Sequence, residues 1–313
     1  MSVACGIAQL VDAMSGAHIW AERYDRELTD VFEIQDEITL TVVTRVAGHT
    51  RAAVVSRLRA RPTDSFSAYD YFLQAREYFG SDETARQAEP FLRKAIDLDP
   101  AFSDAHALKS MMLTITYMHD IQMHHLDDAL ACGHRALELD AVGALANHAV
   151  GYALMLLGRL DEAGHYLRRA MALNPNENYF RGDYAVWMNY TDDTAGALQL
   201  IEQALLRDPY ANDWFWNARG NIETTAGKYE DALRSLHRMK TPTPWSQCYR
   251  AICYVELGQI AEAQKCLEMF RIALPGMVAA DYFSVRPYAD ATAKKRMVDA
   301  LTKLEASINR SVG

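Results

Sequence analysis

The chain repeats itself every 34 residues, and a period of that length constrains a fold more tightly than composition does. Residues 150–175 read VGYALMLLGRLDEAGHYLRRAMALNP, and residues 250–275 read RAICYVELGQIAEAQKCLEMFRIALP, with Gly, Ala, Leu and Pro at matching offsets. A unit counted from Ala144 places Gly151 eighth, Gly158 fifteenth, Ala163 twentieth, Ala170 twenty-seventh and Pro175 thirty-second. From Asn178 the same offsets hold Ala185, Ala197, Ala204 and Pro209, lacking only the glycine at fifteen. A unit from Asp213 supplies Gly220, Gly227, Ala232 and Pro244, and one from Pro244 supplies Ala251, Gly258, Ala263 and Pro275. Upstream, Tyr69–Pro100 fits with Phe72, Ala75, Phe79, Ala88, Leu92 and Ala95, and residues 103–141 form a looser unit with about seven extra residues before Ala129. Six units result.

Small residues at offsets 8, 20 and 27 let two antiparallel helices approach closely, glycine at 15 turns the chain between them, and proline at 32 stops the second. One helical hairpin cannot bury both of its faces, so the units must stack into a solenoid with a continuous core and a concave inner face. The offsets resemble those of the tetratricopeptide repeat over residues 69–277. The expected fold class is mainly α, a tetratricopeptide-type solenoid preceded by a short β-hairpin and a long helix.

The hairpin is read from SVACGIAQLVDA and HIWAERYDR, two alternating stretches around a turn at Gly16. The helix is read from Val31, Ile34, Ile38, Val42 and Val46, which recur at helical spacing before RPTDS at residues 61–65 breaks the pattern. The run AQLVDAMSGAHIWAERYDRELTDVFEIQDEIT resembles the end of the TolB-like domain of a bacterial family. In that family tetratricopeptide repeats follow, and a class III adenylate cyclase or winged-helix domain lies upstream. The segment FSVRPYADATAKKRMVDALTKLEA resembles the close of those repeat regions. The expected organisation is a truncated TolB-like segment at residues 1–65, six repeats at 66–277 and capping helices at 278–313. The sequence begins inside the TolB-like segment and leaves no room within it for a cyclase catalytic domain, so no cyclase activity is expected of these residues.

Net charge of −9 and pI near 5.6 argue against nucleic acid as a partner, because phosphate contacts need clustered cations. The Arg-rich stretch at residues 45–61 is read as a solvated helix face. Five cysteines without a CxxC pair suit reduced, buried thiols of a cytoplasmic protein, and MSVACGIAQLVDAMSG does not resemble a secretory signal. The apolar stretch at 141–158 has Asn147 and His148 in its middle and belongs to a repeat, so no membrane partner is expected. Within MHDIQMHHLDDALACGH, residues 118–134, His124 and Asp128 share a helix face at i and i+4, but no further ligand spacing supports a metal. The segment is read as an elongated polar turn. Cys253 falls toward the hairpin interior, where a thiol is a small hydrophobe rather than a nucleophile. Neither a metal nor a cofactor is expected.

What remains is binding. Offsets 2, 5, 9 and 12 of each first helix are expected to line the groove, giving His148, Tyr152 and Met155, then Tyr179 and Asn189, then Trp214, Asn217 and Asn221, and Trp245. Asn bonds both donors and acceptors of an extended backbone, and Trp and Tyr offer large contact area at low entropic cost. No Lys or Arg stands at offsets 2, 5, 6 or 9 in the last four units, which makes a terminal carboxylate a poor ligand for the repeats themselves. The chain is thus read as a non-enzymatic scaffold holding a protein or peptide in its concave groove. The alternative is the regulatory half of a split or truncated adenylate cyclase or transcriptional regulator. In either case the open edge of the amino-terminal hairpin is expected to allow self-association or pairing with a partner's sheet.

Overall fold

Three of the turns predicted at offset 15 share one backbone solution. Gly158, Gly227 and Gly258 have φ of 76°, 72° and 72°, in the left-handed region where a side chain is strained. Each is followed by an N–H that reaches back five residues: Arg159 to the Leu154 carbonyl at 2.9 Å, Lys228 to Glu223 at 2.9 Å and Gln259 to Tyr254 at 2.8 Å. This bond satisfies a carbonyl that the helix end leaves open. In the unit that lacks the glycine, Asp192 takes the same conformation at φ 70°, and Asp193 bonds back to Met188 at 2.9 Å. Geometry is kept where the residue type is not.

The computed structural model describes residues 3–11, 18–27, 68–78, 82–208 and 211–311, in two compact units, 1–65 and 66–313. In the second unit the helices pair as α1 (Ala68–Glu77) with α2 (Asp82–Leu98), α3 (Ser103–Asp120) with α4 (His124–Leu139), and α5 (Ala144–Leu156) with α6 (Leu160–Leu173). They continue as α7 (Asn178–Tyr190) with α8 (Thr194–Arg207), α9 (Asp213–Thr225) with α10 (Tyr229–Leu236), and α11 (Pro244–Glu256) with α12 (Ile260–Ala273). A short α13 (Ala279–Ser284) and a long α14 (Ala291–Ser311) close the array. From α3 onward each first helix packs on its own second helix and on the next first helix, so the first helices together make one inner face. The close approach inside the hairpins rests on small residues: a Cβ added at Gly151 would stand 2.8 Å from Leu167, and one at Gly220 2.5 Å from Leu236.

From Ala68 to Ser311 every regular element among the described residues is a helix. The expected fold class, in which a short β-hairpin and a long helix lead the solenoid, is corrected: the unit 66–313 is an all-helical solenoid by itself, and the paired strands belong to the separate unit 1–65. The physical reason is hydrogen-bond closure. Stacked helices satisfy their own N–H and C=O groups and need no strand to complete a layer, whereas two strands alone leave both outer edges open and enclose no core. In the first unit the described backbone pairs β1 (Val3–Val11) antiparallel with β2 (His18–Glu27), with an irregularity at Leu10/Val11. The helix expected after Asp30 and the Arg-rich stretch at 45–61 lie outside the described residues.

A second correction concerns residues 118–134. The extra residues do not lengthen a turn; they lengthen α3, which runs 18 residues against 13 in α5, α7, α9 and α11. Ile121 ends it at φ 52°, and α4 begins at His124. The added length carries Met118 onto the inner face.

Candidate functional site

The inner face is built from the first helices of the hairpins. Asn212 caps α9 by accepting from the Trp214 N–H at 3.1 Å. Thr243 and Ser246 form a reciprocal capping box on α11, with Pro244 in its first turn. Both caps fix a tryptophan, Trp214 and Trp245, in the first turn of its helix. Tyr152, Met155, Trp214, Asn217, Asn221 and Trp245, all expected from their offsets, line one cleft on this face. The remaining three do not. His148 is buried between helices, stacked on Phe180 at 4.5 Å, with Nε2 2.7 Å from Asp183 Oδ2. Tyr179 packs on Trp214 and Phe215, and its hydroxyl accepts from Asn212. Asn189 spends its amide on Asn221 Oδ1 at 3.3 Å and Thr225 Oγ1 at 3.1 Å, while its Oδ1 accepts from Thr194 at 3.1 Å.

The cleft is not an open channel, because the chain's own segment Tyr282–Asp290 lies along it and touches five successive hairpins. The Tyr282 hydroxyl donates to the Met118 carbonyl at 2.5 Å. Pro287 stands beside the Gly158 turn, 4.0 Å from where a Cβ would be. The Ala289 N–H donates to the Tyr190 carbonyl at 2.8 Å, and the Tyr288 hydroxyl donates to Asn221 Oδ1 at 2.6 Å. Tyr282 stacks on Trp245 with ring centroids 4.0 Å apart, and Phe283 meets Tyr249 edge to face at 5.3 Å. Arg286 lays its guanidinium over the Trp245 ring and is only 4% exposed. A residual cavity of about 30 Å³ is left beside these groups.

Sequence reasoning missed Met118, Tyr190, Tyr249, Tyr282, Arg286 and Tyr288. Tyr282, Arg286 and Tyr288 belong to no repeat, so no offset points to them. One signal was available: three aromatics and an Arg-Pro step in a stretch too short and too apolar for a solvated linker, in YFSVRPYAD. After α13 the Arg286 N–H closes a turn on the Phe283 carbonyl at 3.1 Å, and Pro287, which has no N–H to continue a helix, comes next.

The cleft is lined by phenols, indoles and amides, and the thiols of Cys248, Cys253 and Cys266 are buried elsewhere in α11 and α12. Burial and then the charge of Asp183 hold the Tyr152 phenol well above the usual range, and burial with Tyr288 does the same to Tyr249. Burial pushes the Cys266 thiol up to about 11 and Cys253 up to about 12, and Cys248 is also raised. These groups stay protonated at neutral pH and are poor nucleophiles. Among the described residues no three His, Cys, Asp or Glu side chains gather to hold a metal, and His125 pairs with Asp120 at 3.0 Å. Among them also, no helix is long and apolar enough to cross a membrane.

Fold and site define a solenoid of helical hairpins whose inner face is filled from its own carboxyl-terminal region. Residues 144–177, the α5–α6 hairpin and the turn after it, match the family model of the tetratricopeptide repeat. A protein of Rhizobium meliloti (strain 1021) named "Putative adenylate cyclase 3" is 30% identical over 163 residues, covering 50% of this chain and 28% of that protein. The chain therefore spans well under a third of that relative's length. Among solved structures, the APC/C hetero-tetramer Cut9-Hcn1 is similar with a TM-score of 0.54 at 18% identity, over 81% of this chain and 50% of that one. Pseudomonas aeruginosa pilF is similar with a TM-score of 0.45 at 18% identity, over 69% and 96%. Residues 144–177 thus carry a tetratricopeptide repeat, set in an array of helical hairpins of like geometry.

Proposed function

We propose that this chain is a non-catalytic scaffold whose inner face receives an extended peptide segment of a protein partner. The observation that carries the reading is the mode in which that face already holds Tyr282–Asp290: ring stacking on Trp245, and hydrogen bonds to Asn221 and the Tyr190 carbonyl. A partner takes the same groups, in the order aromatic, arginine, proline, aromatic, and does so by displacing the internal segment. Because an internal ligand competes at high effective concentration, free peptide binds weakly until that ligand is weakened. The buried, protonated thiols suit a cytoplasmic setting.

A labelled peptide YFSVRPYAD, titrated against the full chain and read by fluorescence anisotropy, tests this. Binding at least tenfold tighter to a Tyr288→Ala variant than to the unaltered chain is expected, with loss on adding Trp214→Ala and Asn217→Ala. Equal, unsaturable curves for all three proteins would remove the reading.

A second reading is favoured by the relative named for an adenylate cyclase and by the TolB-like resemblance of residues 8–39: the chain is the interaction part of a cyclase or a transcriptional regulator. On this reading the purified chain forms no cyclic AMP from ATP alone, and it changes the rate of a catalytic part encoded beside it. A neighbouring gene product whose activity is indifferent to the chain would count against it.

A further inference from the structure

The segment that fills the inner face belongs to a separable arm. α13 and α14 pack on each other, and Glu305 of α14 accepts the Ala279 N–H that opens α13 at 2.8 Å. The arm meets the array at points spread over α3, α7, α9 and α11, among them the Arg296 guanidinium on the Thr225 carbonyl at 3.1 Å. Its link to α12 is short, residues 274–278. Within it Pro275 and Gly276 are exposed, Gly276 turns at φ 82° with nothing within 4 Å of an added Cβ, and the Met277 N–H closes the turn on the Leu274 carbonyl at 3.2 Å. Apolar surface gathers at this link. Of the ten large apolar side chains exposed among the described residues, Met269 at 52%, Ile272 at 64% and Val278 at 46% fall at the link, while the other seven are spread over residues 69–260. Met269 and Ile272, at i and i+3, share a face of α12. Glu268 and Arg271 beside them carry opposite charges, which suits a surface that meets its own copy about a two-fold axis.

We propose that the arm, residues 278–311, exchanges between two copies of this chain, each copy's arm lying on the inner face of the other. The inner face selects the occupant. It is complementary to Tyr282, Arg286 and Tyr288 in their present order, and a second copy carries that order unchanged, so each bond the arm makes within its own chain is remade across the pair. What differs is the link. Opening it costs the Met277 bond, whereas two opened links run side by side near the pair's axis and take Met269, Ile272 and Val278 of both copies out of water. Seating within one chain keeps the advantage of effective concentration, so the exchanged pair grows with protein concentration. The inference takes from the proposed function only that the inner face receives an extended segment, and it names a source for that segment.

The test uses the full chain. Sedimentation from low to high micromolar concentration should show a monomer–dimer equilibrium. Deleting Gly276 and Met277, which leaves the link too short to fold back, should tighten the dimer by at least about tenfold, and Ile272→Asp, which sets two carboxylates across the axis, should weaken it by about as much. A cross-link separates exchange from any other association. A copy carrying Thr191→Cys is unfolded and refolded with a copy carrying Ala289→Cys, positions brought together by the Ala289 N–H on the Tyr190 carbonyl, and a short bismaleimide is added. Exchange gives a covalent pair with one copy of each, above the background that the unaltered chain's own cysteines give. A monomer at every concentration, a dimer indifferent to both the deletion and Ile272→Asp, or a mixture without the covalent pair when a chain carrying both cysteines cross-links within itself would overturn the proposal. Where that doubly substituted chain does not cross-link, the deletion and Ile272→Asp decide. A monomeric chain whose Tyr288→Ala variant still takes free YFSVRPYAD would lose the exchange and keep the scaffold reading.

Discussion

The two helices of one hairpin, α5 and α6, carry the same fold instruction and meet opposite fates. In α5 every residue from Ala146 to Leu156 is buried, including Asn147 and His148. In α6 the buried set is Ala163, Gly164, Leu167 and Ala170, one stripe at helical spacing with charged residues around it. A first helix of a bare solenoid packs on its partner and its neighbours and still shows one side to the groove. Here that side is covered as well, by Met118 from the lengthened α3 and by the Tyr282–Asp290 segment. The difference teaches that burial of the inner helices is not a property of the repeats. It is imposed from outside the period.

The sharpest way to break the comparison is to remove that cover. Tyr282 is fully buried, stacked on Trp245 and bonded to the Met118 carbonyl. Tyr282→Ala should cost about 3–5 kcal/mol, as large buried aromatics do. The loss should be uneven: amide hydrogen exchange should quicken in α9 and α11 far more than in α6 and α8. Uniform loss across first and second helices would mean that the segment is a global staple and not a cover for one face.

Next in size is the contact inside the hairpin, which both helices share. Gly220→Ala sets a Cβ 2.5 and 2.6 Å from Leu236 atoms, and the shift needed to relieve it should cost about 1–3 kcal/mol. The loss should appear in α9 and α10 alike, measured by the same exchange experiment. A neutral outcome would show that the helices can separate slightly, and that small residues at offset 8 are a preference and not a requirement.

A pH series separates the covered face from the solvated one. Burial raises the pKa of Asp183 above its ordinary 3.8, with the hydrogen bond from His148 opposing it. A carboxyl raised in the folded state binds its proton more readily there than in the unfolded chain. Its contribution to stability is therefore fully present below about pH 3.8 and is lost as pH rises through the folded value. Asp183→Asn keeps a partner for His148 and removes the buried charge, so its stability should exceed that of the unaltered chain by an amount that grows as pH rises above about 3.8 and levels once the folded carboxyl has ionised, about 1 kcal/mol in all. A difference that stays constant with pH would mean that Asp183 remains ionised at little cost.

How much of this was legible follows the same division. The hairpins, their turns and the close approach at Gly151 and Gly220 could be read because each is local and recurs, so each unit corroborates the others. Trp214 and Trp245 were expected at the groove because both stand at offset 2 of their units, and both line the cleft. His148 was misplaced for a physical reason: offset 5 faces the groove only if the next hairpin leaves room, and Phe180 and Asp183 of α7 take that room. Arg286 and Tyr288 were invisible because they touch the repeats from far along the chain, from 39 residues between Tyr288 and Tyr249 to 67 between Tyr288 and Asn221. A contact made once at long range leaves no pattern in the chain.

The smallest effect tests whether all hairpins are one object despite their sequences. Asp192 holds the left-handed turn between α7 and α8 that glycine holds elsewhere, and it is exposed, so no packing depends on its side chain. An aspartate tolerates that conformation better than most residues but still at a cost, while glycine adopts it freely. Asp192→Gly should therefore raise stability by about 0.5 kcal/mol, offset in part by the greater freedom glycine gives the unfolded chain. The converse, Gly258→Ala, where nothing lies within 4 Å of the added Cβ, should lose about 1 kcal/mol from backbone strain alone. Paired thermal melts of the two variants read the turn without touching either face of the solenoid. If Asp192→Gly destabilises instead, the aspartate supplies an interaction at that turn which the glycine units do without, and the α7–α8 hairpin is set apart from its neighbours.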